Sequence, residues 1–185
     1  LNRVIDSAKA NHLTSLLLTF FPHPRMVLQK GSNLKLINSL EEKKELLART
    51  GLEQLVIHPF TQDFSRMTAE TFVQELLVNR LHAKKVIIGY DHRFGRNRTA
   101  NIDDLRTFGI RYGFEVEEIS AQELDEVAVS STKIRKALEA GDITTANTYL
   151  DYPFMISGKV IKGKEIGRTI NYPTANLKPE APYKL

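Results

Sequence analysis

Short apolar runs alternate with segments of helical spacing along most of this chain. Ser15–Phe20 (SLLLTF) and Lys85–Ile88 (KVII) are continuous apolar runs, which are typical of strands buried on both faces. Gln54–His58 (QLVIH) and Phe114–Ile119 indicate two further strands. Because these strands alternate with helices over short connections, the pattern predicts an α/β fold with a parallel sheet that helices cover on both faces.

The helices are predicted from apolar residues at helical spacing and from the residues that begin and end them. Ser39 and Glu42 have the spacing of a capping box. Thr68 and Asn101 stand where N-caps are expected, and Gly113 where a helix ends. The predicted helices are Leu1–Ala10, Ser39–Thr50, Thr68–His82, Asn101–Tyr112, a helix that starts within 129–135 and ends at Gly141, and Ile143–Leu150 capped by Asp142.

The pattern changes near Asp151, where helical spacing gives way to glycines and β-branched residues. Residues 159–177 indicate a strand, a turn and a second strand. We therefore place a boundary at about residues 152–154, which divides the chain into domains 1–152 and 153–185. The second part is too short for a core of its own. We expect the chain to be a piece of a longer protein, because Leu1 enters a helical pattern without a cap and Leu185 follows a Pro-rich turn.

Most of the unusual residues follow the carboxyl ends of the predicted strands. Segments that lead into the strands are short and plain, whereas those that leave them are residues 21–25 (FPHPR), 59–64 (PFTQDF), 89–98 (GYDHRFGRNR) and 120–132 (SAQELDEVAVSST). Ligands of open parallel sheets bind outside the carboxyl ends of the strands. This one-sided distribution predicts one crevice with His23, Asp91 and Ser131 on its rim.

The string VSSTKIR at 129–135 places two serines and a threonine at the start of a helix, with Lys133 and Arg135 in its first turn. Helix N-termini present unpaired N–H groups and partial positive charge, which suit a phosphate. The alternative is an ordinary serine-capped helix with a solvated basic face.

The other segments also allow two interpretations each. Pro22, His23 and Pro24 form either a stiff structural turn or a ligand contact, in which His23 orients a phosphate rather than capping a carbonyl. In the segment 89–98, Gly89 permits close backbone approach, Asp91 suits a ribose hydroxyl or magnesium, and the arginines 93, 96 and 98 suit phosphates. A solvated basic loop or, less favoured, an RNA-binding loop are the alternatives.

Glycines around Lys164 indicate a second anion site. Gly163 and Gly167 would let backbone N–H groups surround a phosphate, and Thr174 and Asn176 offer oxygens to a metal or phosphate. A plain glycine-rich β-turn is the alternative. No Walker sequence occurs, so this segment is not a P-loop.

Composition excludes several classes of function. The 185 residues include no cysteine, which removes disulfides and thiolate chemistry, and the five histidines have no metal-ligand spacing. The apolar runs are too short to span a bilayer, and no signal peptide is evident. A net charge of +4 suits an anionic small molecule and does not require nucleic acid. We therefore expect a cytoplasmic protein with small-molecule ligands, no nucleic-acid or membrane partner, and an oligomeric state that the sequence leaves open.

Four segments, in their order along the chain, resemble the bacterial bifunctional riboflavin kinase/FMN adenylyltransferase (FAD synthetase) family. They are TFFPHPR at 19–25, GYDHRFGRNR at 89–98, VSSTKIR at 129–135 and GRTINYPTANL at 167–177. VSSTKIR is similar to the ISSTxxR motif of nucleotidylyltransferases, and PTAN to the signature of the riboflavin kinase module. The resemblance implies a Rossmann-like nucleotidylyltransferase sheet that lacks its first strand, followed by the first strands of a kinase β-barrel.

The resemblance implies two ATP- and magnesium-dependent reactions. Riboflavin is phosphorylated to FMN, and FMN is then adenylylated to FAD with release of pyrophosphate. In the adenylyltransferase module it implies catalytic roles for Ser131 and Arg135. The implied ATP-binding residues are Ser130, Ser131, Thr132, Arg135, Gly89 and Asp91, and those of the flavin and nucleotide pocket are Pro22, His23, Pro24 and Arg93. The implied kinase residues are Gly163, Gly167, Arg168, Thr174 and Asn176, of which Thr174 and Asn176 would hold magnesium.

The chain departs from the family pattern in three respects. No GxFDGxHxGH-type segment occurs, the catalytic carboxylate of the kinase would lie beyond Leu185, and His92 stands where an aromatic residue such as Phe is expected. We therefore expect these 185 residues alone to have poor or no activity. The alternatives are a non-catalytic nucleotide-binding module and a related nucleotidylyltransferase with a different acceptor.

Overall fold

The computed structural model describes residues 1–29, 31, 34–120, 131–179, 181 and 184. The chain forms two compact units. The first comprises Leu1–Ser32 and Thr50–Ala128, and the second comprises Asn33–Arg49 and Val129–Leu185. A segment from the first third of the sequence therefore belongs to the same unit as the C-terminal residues.

The first unit alternates strands and helices, as the apolar pattern predicts. Its strands are β1 (Leu16–Phe21), β2 (Gln54–Pro59), β3 (Lys85–Gly89) and β4 (Glu115–Ile119). Its helices are α1 (Asn2–Ala10), α2 (Pro24–Leu28), α4 (Gln62–Ser65), α5 (Ala69–Thr71), which continues into a π-helical segment (Phe72–Arg80), and α6 (Ile102–Tyr112), with a 3-10 turn at Arg96–Arg98. All four predicted strands are confirmed to within one residue at each end.

The strands pair in two separate parallel ladders. β1 runs beside β2 from Leu16↔Gln54 to Phe21↔Pro59, and β3 runs beside β4 from Lys85↔Glu115 to Gly89↔Ile119. The predicted α/β class with parallel strands is confirmed in the form of two small parallel pairs, and β1 and β3 are not hydrogen-bonded to each other. The parallel direction within each pair is confirmed.

Local capping interactions account for the positions of the helix ends. Asn101 accepts hydrogen bonds from the N–H groups of Asp103 and Asp104, and the Asp104 side chain accepts one from the Asn101 N–H, which completes a capping box. Gly113 ends the same helix at a φ of 75°, a conformation that favours glycine. These predicted caps are confirmed.

The predicted helix Thr68–His82 begins at its expected cap but is not α-helical throughout. The Thr68 hydroxyl accepts a hydrogen bond from the Thr71 N–H at 3.1 Å. Farther along, the Leu81 N–H bonds to the Leu76 carbonyl five residues back. This wider turn is a π-helical pattern, which 3.6-residue apolar spacing does not predict.

The core of the first unit lies between the π-helical segment, α6 and the loop that joins β3 to α6 (residues 90–101), which we call the basic loop. Val73 is fully buried, and Leu105 is 2% exposed. Phe94 and Ala100 close the loop with a two-residue antiparallel bridge and are themselves buried. The buried cluster consists of Val73, Leu77, Phe94, Ala100, Leu105 and Phe114.

The second unit contains four helices and one antiparallel strand pair in its described residues. They are α3 (Leu40–Ala48), α7 (Ser131–Glu139), α8 (Ile143–Leu150), β5 (Gly158–Ile161), α9 (Ile166–Thr169) and β6 (Asn176–Pro179). β5 pairs with β6 from Gly158↔Pro179 to Ile161↔Asn176. The predicted strand, turn and strand are confirmed, and α9 within the connection is an addition.

A buried carboxylate links α3 to the C-terminal residues of this unit. Glu42 completes the predicted capping box with Ser39, its Oε2 accepting from the Ser39 N–H at 2.8 Å. The same carboxylate accepts from Lys184 Nζ at 2.7 Å and from the Ser157 N–H at 3.1 Å. Glu42 therefore joins three distant segments of the chain through one side chain.

Candidate functional site

The segments that follow β1, β2 and β3 are brought together by a series of aromatic rings. The Phe20 ring lies 5.3 Å from that of Phe64, which lies 6.1 Å from Phe72, and Phe72 lies 5.9 Å from Phe94. His58 adds a close contact of 4.5 Å to Phe64. Three of the four loops expected at one rim of the sheet are therefore neighbours.

The segment FPHPR forms the start of a short helix. The His23 imidazole caps α2, its Nδ1 accepting from the Arg25 N–H at 3.2 Å. His23 thus caps an N–H group rather than a carbonyl. The α2 carbonyl of Val27 accepts from Gln62 Nε2 at 2.9 Å, which attaches this segment to the loop after β2. Pro22 is exposed, whereas His23 and Pro24 are half-buried.

The basic loop after β3 presents its polar side chains to solvent. Asp91 and Arg93 are exposed, and Gly89 is the last residue of β3. The three arginines 93, 96 and 98 are all exposed on a loop that buried Phe94 and Ala100 anchor. Gly95 has a φ of 73° and lies so close to Ala69 that a Cβ at this position would be 2.8 Å from it. This packing gives the loop a defined path while the charges remain accessible.

His92 lies within this loop, against the aromatic series. Its ring stacks on Phe94 with centroids 6.2 Å apart and an interplanar angle of 22°. Lost hydration in this position lowers the pKa of His92, and the nearby charge of Arg98 lowers it further, against an opposing effect of Asp91. The ring is therefore neutral near pH 7, which fits a position where the family resemblance implies an uncharged aromatic residue.

In α7, the helix that contains the end of the VSSTKIR string, the Arg135 side chain is hydrogen-bonded to backbone carbonyl groups. Arg135 Nε donates to the Lys35 carbonyl at 3.2 Å, and Nη1 donates to the Ser131 carbonyl at 3.3 Å. Ser131 and Thr132 are exposed at the start of the described part of this helix, and Ile134 is buried beneath it. Ser130 lies outside the described residues. The phosphate-binding role of these groups stays a prediction.

Gly163 and Gly167 are in close contact with the two candidate magnesium ligands. A Cβ on Gly163 would overlap the side-chain amide of Asn176. A Cβ on Gly167 would overlap the Tyr172 carbonyl and lie 3.2 Å from Thr174 Oγ1. Thr174 and Asn176 are both exposed to solvent. Arg168 is also exposed, with Nη1 3.6 Å from Glu165 Oε2.

The predicted site residues thus fall into two groups. His23, Gly89, Asp91 and Arg93 belong to the first unit, and Ser131, Thr132, Arg135 and the kinase residues belong to the second. Within the described part of the chain, no three His, Asp or Glu side chains are grouped closely enough to hold a metal ion. The helices described here also lack the combined length and apolar character needed to cross a membrane. The role of the aromatic series is not predicted by the sequence pattern, although Phe60 and Phe64 lie in one of the unusual segments that leave the strands.

Comparisons with known proteins connect both parts of the chain to flavin enzymes. The FAD synthetase family model matches residues 1–133, and the riboflavin kinase model matches residues 150–185. The chain is 35% identical over 178 residues to the bifunctional riboflavin kinase/FMN adenylyltransferase of Buchnera aphidicola subsp. Schizaphis graminum, covering 96% of this chain and 57% of that protein. It is 33% identical over 172 residues to the protein of the same name from Escherichia coli K12, covering 93% and 55%.

A solved structure shares the fold. The crystal structure titled a macrolide-efflux protein from Streptococcus pneumoniae matches with a TM-score of 0.83 and 28% identity, covering 97% of this chain and 58% of that one. The chain thus spans a little over half the length of the relatives it matches. The FAD synthetase model alone accounts for well over half of the sequence, and the chain therefore belongs to the FAD synthetase family.

Proposed function

We propose that this chain serves FAD biosynthesis. One module adenylylates FMN with ATP to form FAD and pyrophosphate, and the other phosphorylates riboflavin with ATP to form FMN. We divide the modules at residues 152 and 153. The family models that end at residue 133 and begin at residue 150 support this division. The antiparallel pair β5–β6 supports an assignment to the first strands of a kinase barrel.

The position of the Arg135 side chain is the observation on which the adenylyltransferase proposal rests. Its guanidinium is held by the carbonyls of Lys35 and Ser131, which fixes it beside the start of the helix. Two of its five N–H donors are used in these bonds, and the remaining donors suit phosphate oxygens. A preorganised donor of this kind stabilises charge that develops on a leaving group.

The reaction is an in-line displacement at the α-phosphorus of ATP. An oxygen of the FMN phosphate forms the new P–O bond, and the bond to the β-phosphate oxygen breaks as pyrophosphate departs with its electron pair. Arg135 and the N-terminal backbone of α7 would bind the triphosphate and neutralise the developing charge. His23 as a helix cap would position the neighbouring segment, and Asp91 and Arg93 would contact the ribose or phosphates of the bound nucleotide and flavin.

Magnesium fits the oxygens of the second glycine-rich segment. Because Gly163 and Gly167 carry no Cβ, Asn176 and Thr174 can lie directly against their backbone. A hydroxyl and an amide oxygen are hard ligands of the type that magnesium accepts. Thr174 and Asn176 would hold the ion, which supplies charge neutralisation for the ATP phosphates when bound. Arg168, exposed in the same connection, would contact a phosphate. The cysteine-free composition supports the further proposal of a cytoplasmic location.

Calorimetric titration of the chain with ATP tests the phosphate site. We expect Arg135→Ala to weaken ATP binding about tenfold or more, which corresponds to about 1.4 kcal/mol. Lys136→Ala, which removes the same charge from the exposed next position of the helix, is the matched control and should bind nearly as the parent does. Equal affinities of the two variants would contradict the assignment. Incubation with FMN, ATP and magnesium, followed by chromatographic detection of FAD, tests the separate expectation that these 185 residues alone have poor or no activity.

A further inference from the structure

Residues 35–38, which precede α3 and which we call the 35–38 segment, accept hydrogen bonds from two distant cationic side chains. The Lys35 carbonyl accepts from Arg135 Nε at 3.2 Å, and the Ile37 carbonyl accepts from Lys184 Nζ. Arg135 lies on α7, whereas Lys184 lies in the part of the chain that matches the riboflavin kinase model. The two cations are thus bonded to carbonyls that are only two residues apart.

Two further contacts hold this segment in place. Leu36 forms a parallel β-bridge with Lys184, so the lysine pairs with the segment through its backbone as well as its side chain. The Asn38 side-chain oxygen accepts from the Tyr152 hydroxyl at 2.8 Å. All of these residues belong to the second unit. Three consecutive residues of the segment are therefore attached to Lys184 or Tyr152, and these attachments fix the neighbouring Lys35 carbonyl.

Lys184 is buried to a degree that is unusual for a lysine. Its side chain retains 4% of its exposed surface and that of Glu42 retains 2%, with 2.7 Å between Lys184 Nζ and Glu42 Oε2. A buried ion pair adds little net stability compared with apolar residues of similar volume, because both charges lose their hydration. Its geometric effect is more specific, since the ammonium bonds to Glu42 and to the Ile37 carbonyl together only when the backbone has this arrangement.

The orientation of the Arg135 side chain depends on the Lys35 carbonyl. Arg135 is half-buried, and the bond from its Nη1 to the Ser131 carbonyl stays within α7. The bond from Nε to Lys35 instead connects the guanidinium to a residue one hundred positions away. Because this bond is at the long end of the usual N–H···O range, a displacement of the carbonyl by about 0.5 Å would break it.

We propose that Lys184 is a positioning residue for Arg135: by holding the 35–38 segment, it keeps the guanidinium in the orientation that binds the triphosphate of ATP. This inference rests on the phosphate-binding role proposed above for Arg135. Lys184 acts through the segment rather than on the nucleotide, because its ammonium is buried against Glu42 and the Ile37 carbonyl. A residue of the part that matches the kinase model thereby sets the geometry of an adenylyltransferase residue.

The test requires a variant that releases the segment without leaving a buried charge unpaired. Lys184→Met together with Glu42→Gln removes both charges, keeps side chains of similar length, and takes away the donor to the Ile37 carbonyl. Lys178→Ala, at an exposed lysine of β6, is the matched control. Circular dichroism verifies that each variant is folded before it is compared.

NMR of the free chain measures the position of Arg135 without ATP. Hydrogen exchange of the Arg135 Nε–H should be at least tenfold faster in the double variant than in the parent, because its acceptor at Lys35 is displaced. The Lys178→Ala control should match the parent. The Ala140 N–H, which donates to the Lys136 carbonyl within the same helical segment, should keep its exchange rate. A purely structural role of the buried pair would instead speed both exchanges together.

Calorimetric titration with ATP then measures the functional consequence. The double variant should bind ATP at least fivefold more weakly than the parent, whereas Lys178→Ala should bind as the parent does. Adding Arg135→Ala to the double variant should weaken binding no further than Arg135→Ala does alone, because both changes act on the same contact.

The contrary results are distinct from one another. Unchanged exchange of the Arg135 Nε–H in the folded double variant would overturn the proposal. A fivefold loss of ATP affinity that persists in the Arg135→Ala background would also overturn it, since Lys184 would then act by another route. Parent-like ATP binding by Arg135→Ala would refute the proposed phosphate site and with it the functional part of this inference, whereas the exchange measurement would still decide whether Lys184 positions the side chain.

Discussion

Lys184 Nζ lies 2.7 Å from Glu42 Oε2, and the two side chains retain only 4% and 2% of their exposed surface. The Lys184 ammonium also lies 4.3 Å from the centre of the Phe154 ring. Burial alone would raise the pKa of Glu42, but hydrogen bonds from Lys184, Ser39 and Ser157 together with the Lys184 charge outweigh it, so the pKa is lowered. This pair holds the C-terminal residues of the second unit on α3.

Breaking this pair from one side should strongly destabilise the protein. Lys184→Ala leaves a buried carboxylate without its counter-charge, and we expect the free energy of unfolding in urea to fall by about 3–5 kcal/mol. Lys178→Ala, at an exposed lysine of β6, is the matched control and should change it by less than about 0.5 kcal/mol. Similar losses in both variants would show that the contact does not stabilise the fold.

The same pair predicts a loss of stability in acid. Because the pKa of Glu42 is lower in the folded than in the unfolded chain, its contribution is complete above the ordinary value of about 4.5 and is lost as the pH falls through the lowered value. The free energy of unfolding should therefore decrease below about pH 4.5 in the parent. Glu42→Gln should be less stable near neutral pH and should show a smaller decrease, whereas Glu41→Gln at the exposed neighbour should follow the parent curve.

Glu117 should be a second, smaller contributor to stability. Its carboxylate lies 2.6 Å from Lys85 Nζ and also accepts from Arg3 Nε, so it connects α1 and β3 to β4. Hydrogen bonds from Lys85 and then Arg3 lower the pKa of Glu117. We expect Glu117→Gln to reduce the free energy of unfolding by roughly 1 kcal/mol, because the group is partly solvated. Glu115→Gln, at the exposed start of the same strand, should be close to neutral; an equal loss there would contradict this assignment.

The two glycine contacts should respond differently to substitution. Gly163→Ala and Gly167→Ala should each destabilise the protein by about 1–3 kcal/mol through overpacking. The Gly163 methyl meets the Asn176 side chain, so the double variant Gly163→Ala with Asn176→Ala should recover most of the loss. The Gly167 methyl meets the Tyr172 carbonyl, which no side-chain truncation relieves. Thermal unfolding checks both, and failure of the double variant to recover would contradict the first contact.

His92 should titrate below the ordinary histidine range. Reduced hydration and the Arg98 charge lower the pKa of His92, so its contribution to stability is present above the ordinary value of about 6.5 and is lost as the pH falls through the folded-state pKa. NMR titration of the ring protons measures this directly. His92→Phe preserves the stacking on Phe94 and should reduce the loss of stability below about pH 6.5. A ring that titrates at or above 6.5 would contradict this account.

The predictable part of the fold is local. The capping boxes at Ser39 and Asn101 join residues three positions apart, and the αL end at Gly113 depends on one residue's conformation. β1 and β3 could be predicted as strands because their apolar runs are only a few residues long, which is typical of a strand and too short for a helix. The π-helical turn at Leu76 and Leu81 is also local, but 3.6-residue spacing cannot distinguish it from an α-helix.

The sequence predicts which residues belong to the candidate sites, but it predicts only partly which of them lie in contact with one another. The contacts of Gly163 with Asn176 and of Gly167 with Thr174 agree with the expected grouping in the second glycine-rich segment. The aromatic contact of Phe64 with Phe20 groups the loops after β1 and β2 as the one-sided pattern predicts. The joint rim of His23, Asp91 and Ser131 stays a prediction.

The sequence by itself determined the strands, the helix caps and the family motifs, because these depend on residues close together in the chain. Only the tertiary structure decided that β1 and β3 belong to separate strand pairs, and that Glu42 meets a lysine 142 residues away. Strand pairing and buried ion pairs are long-range contacts, whose formation depends on how the whole backbone closes. Apolar spacing reports that a strand needs burial, but it does not report which neighbour supplies it.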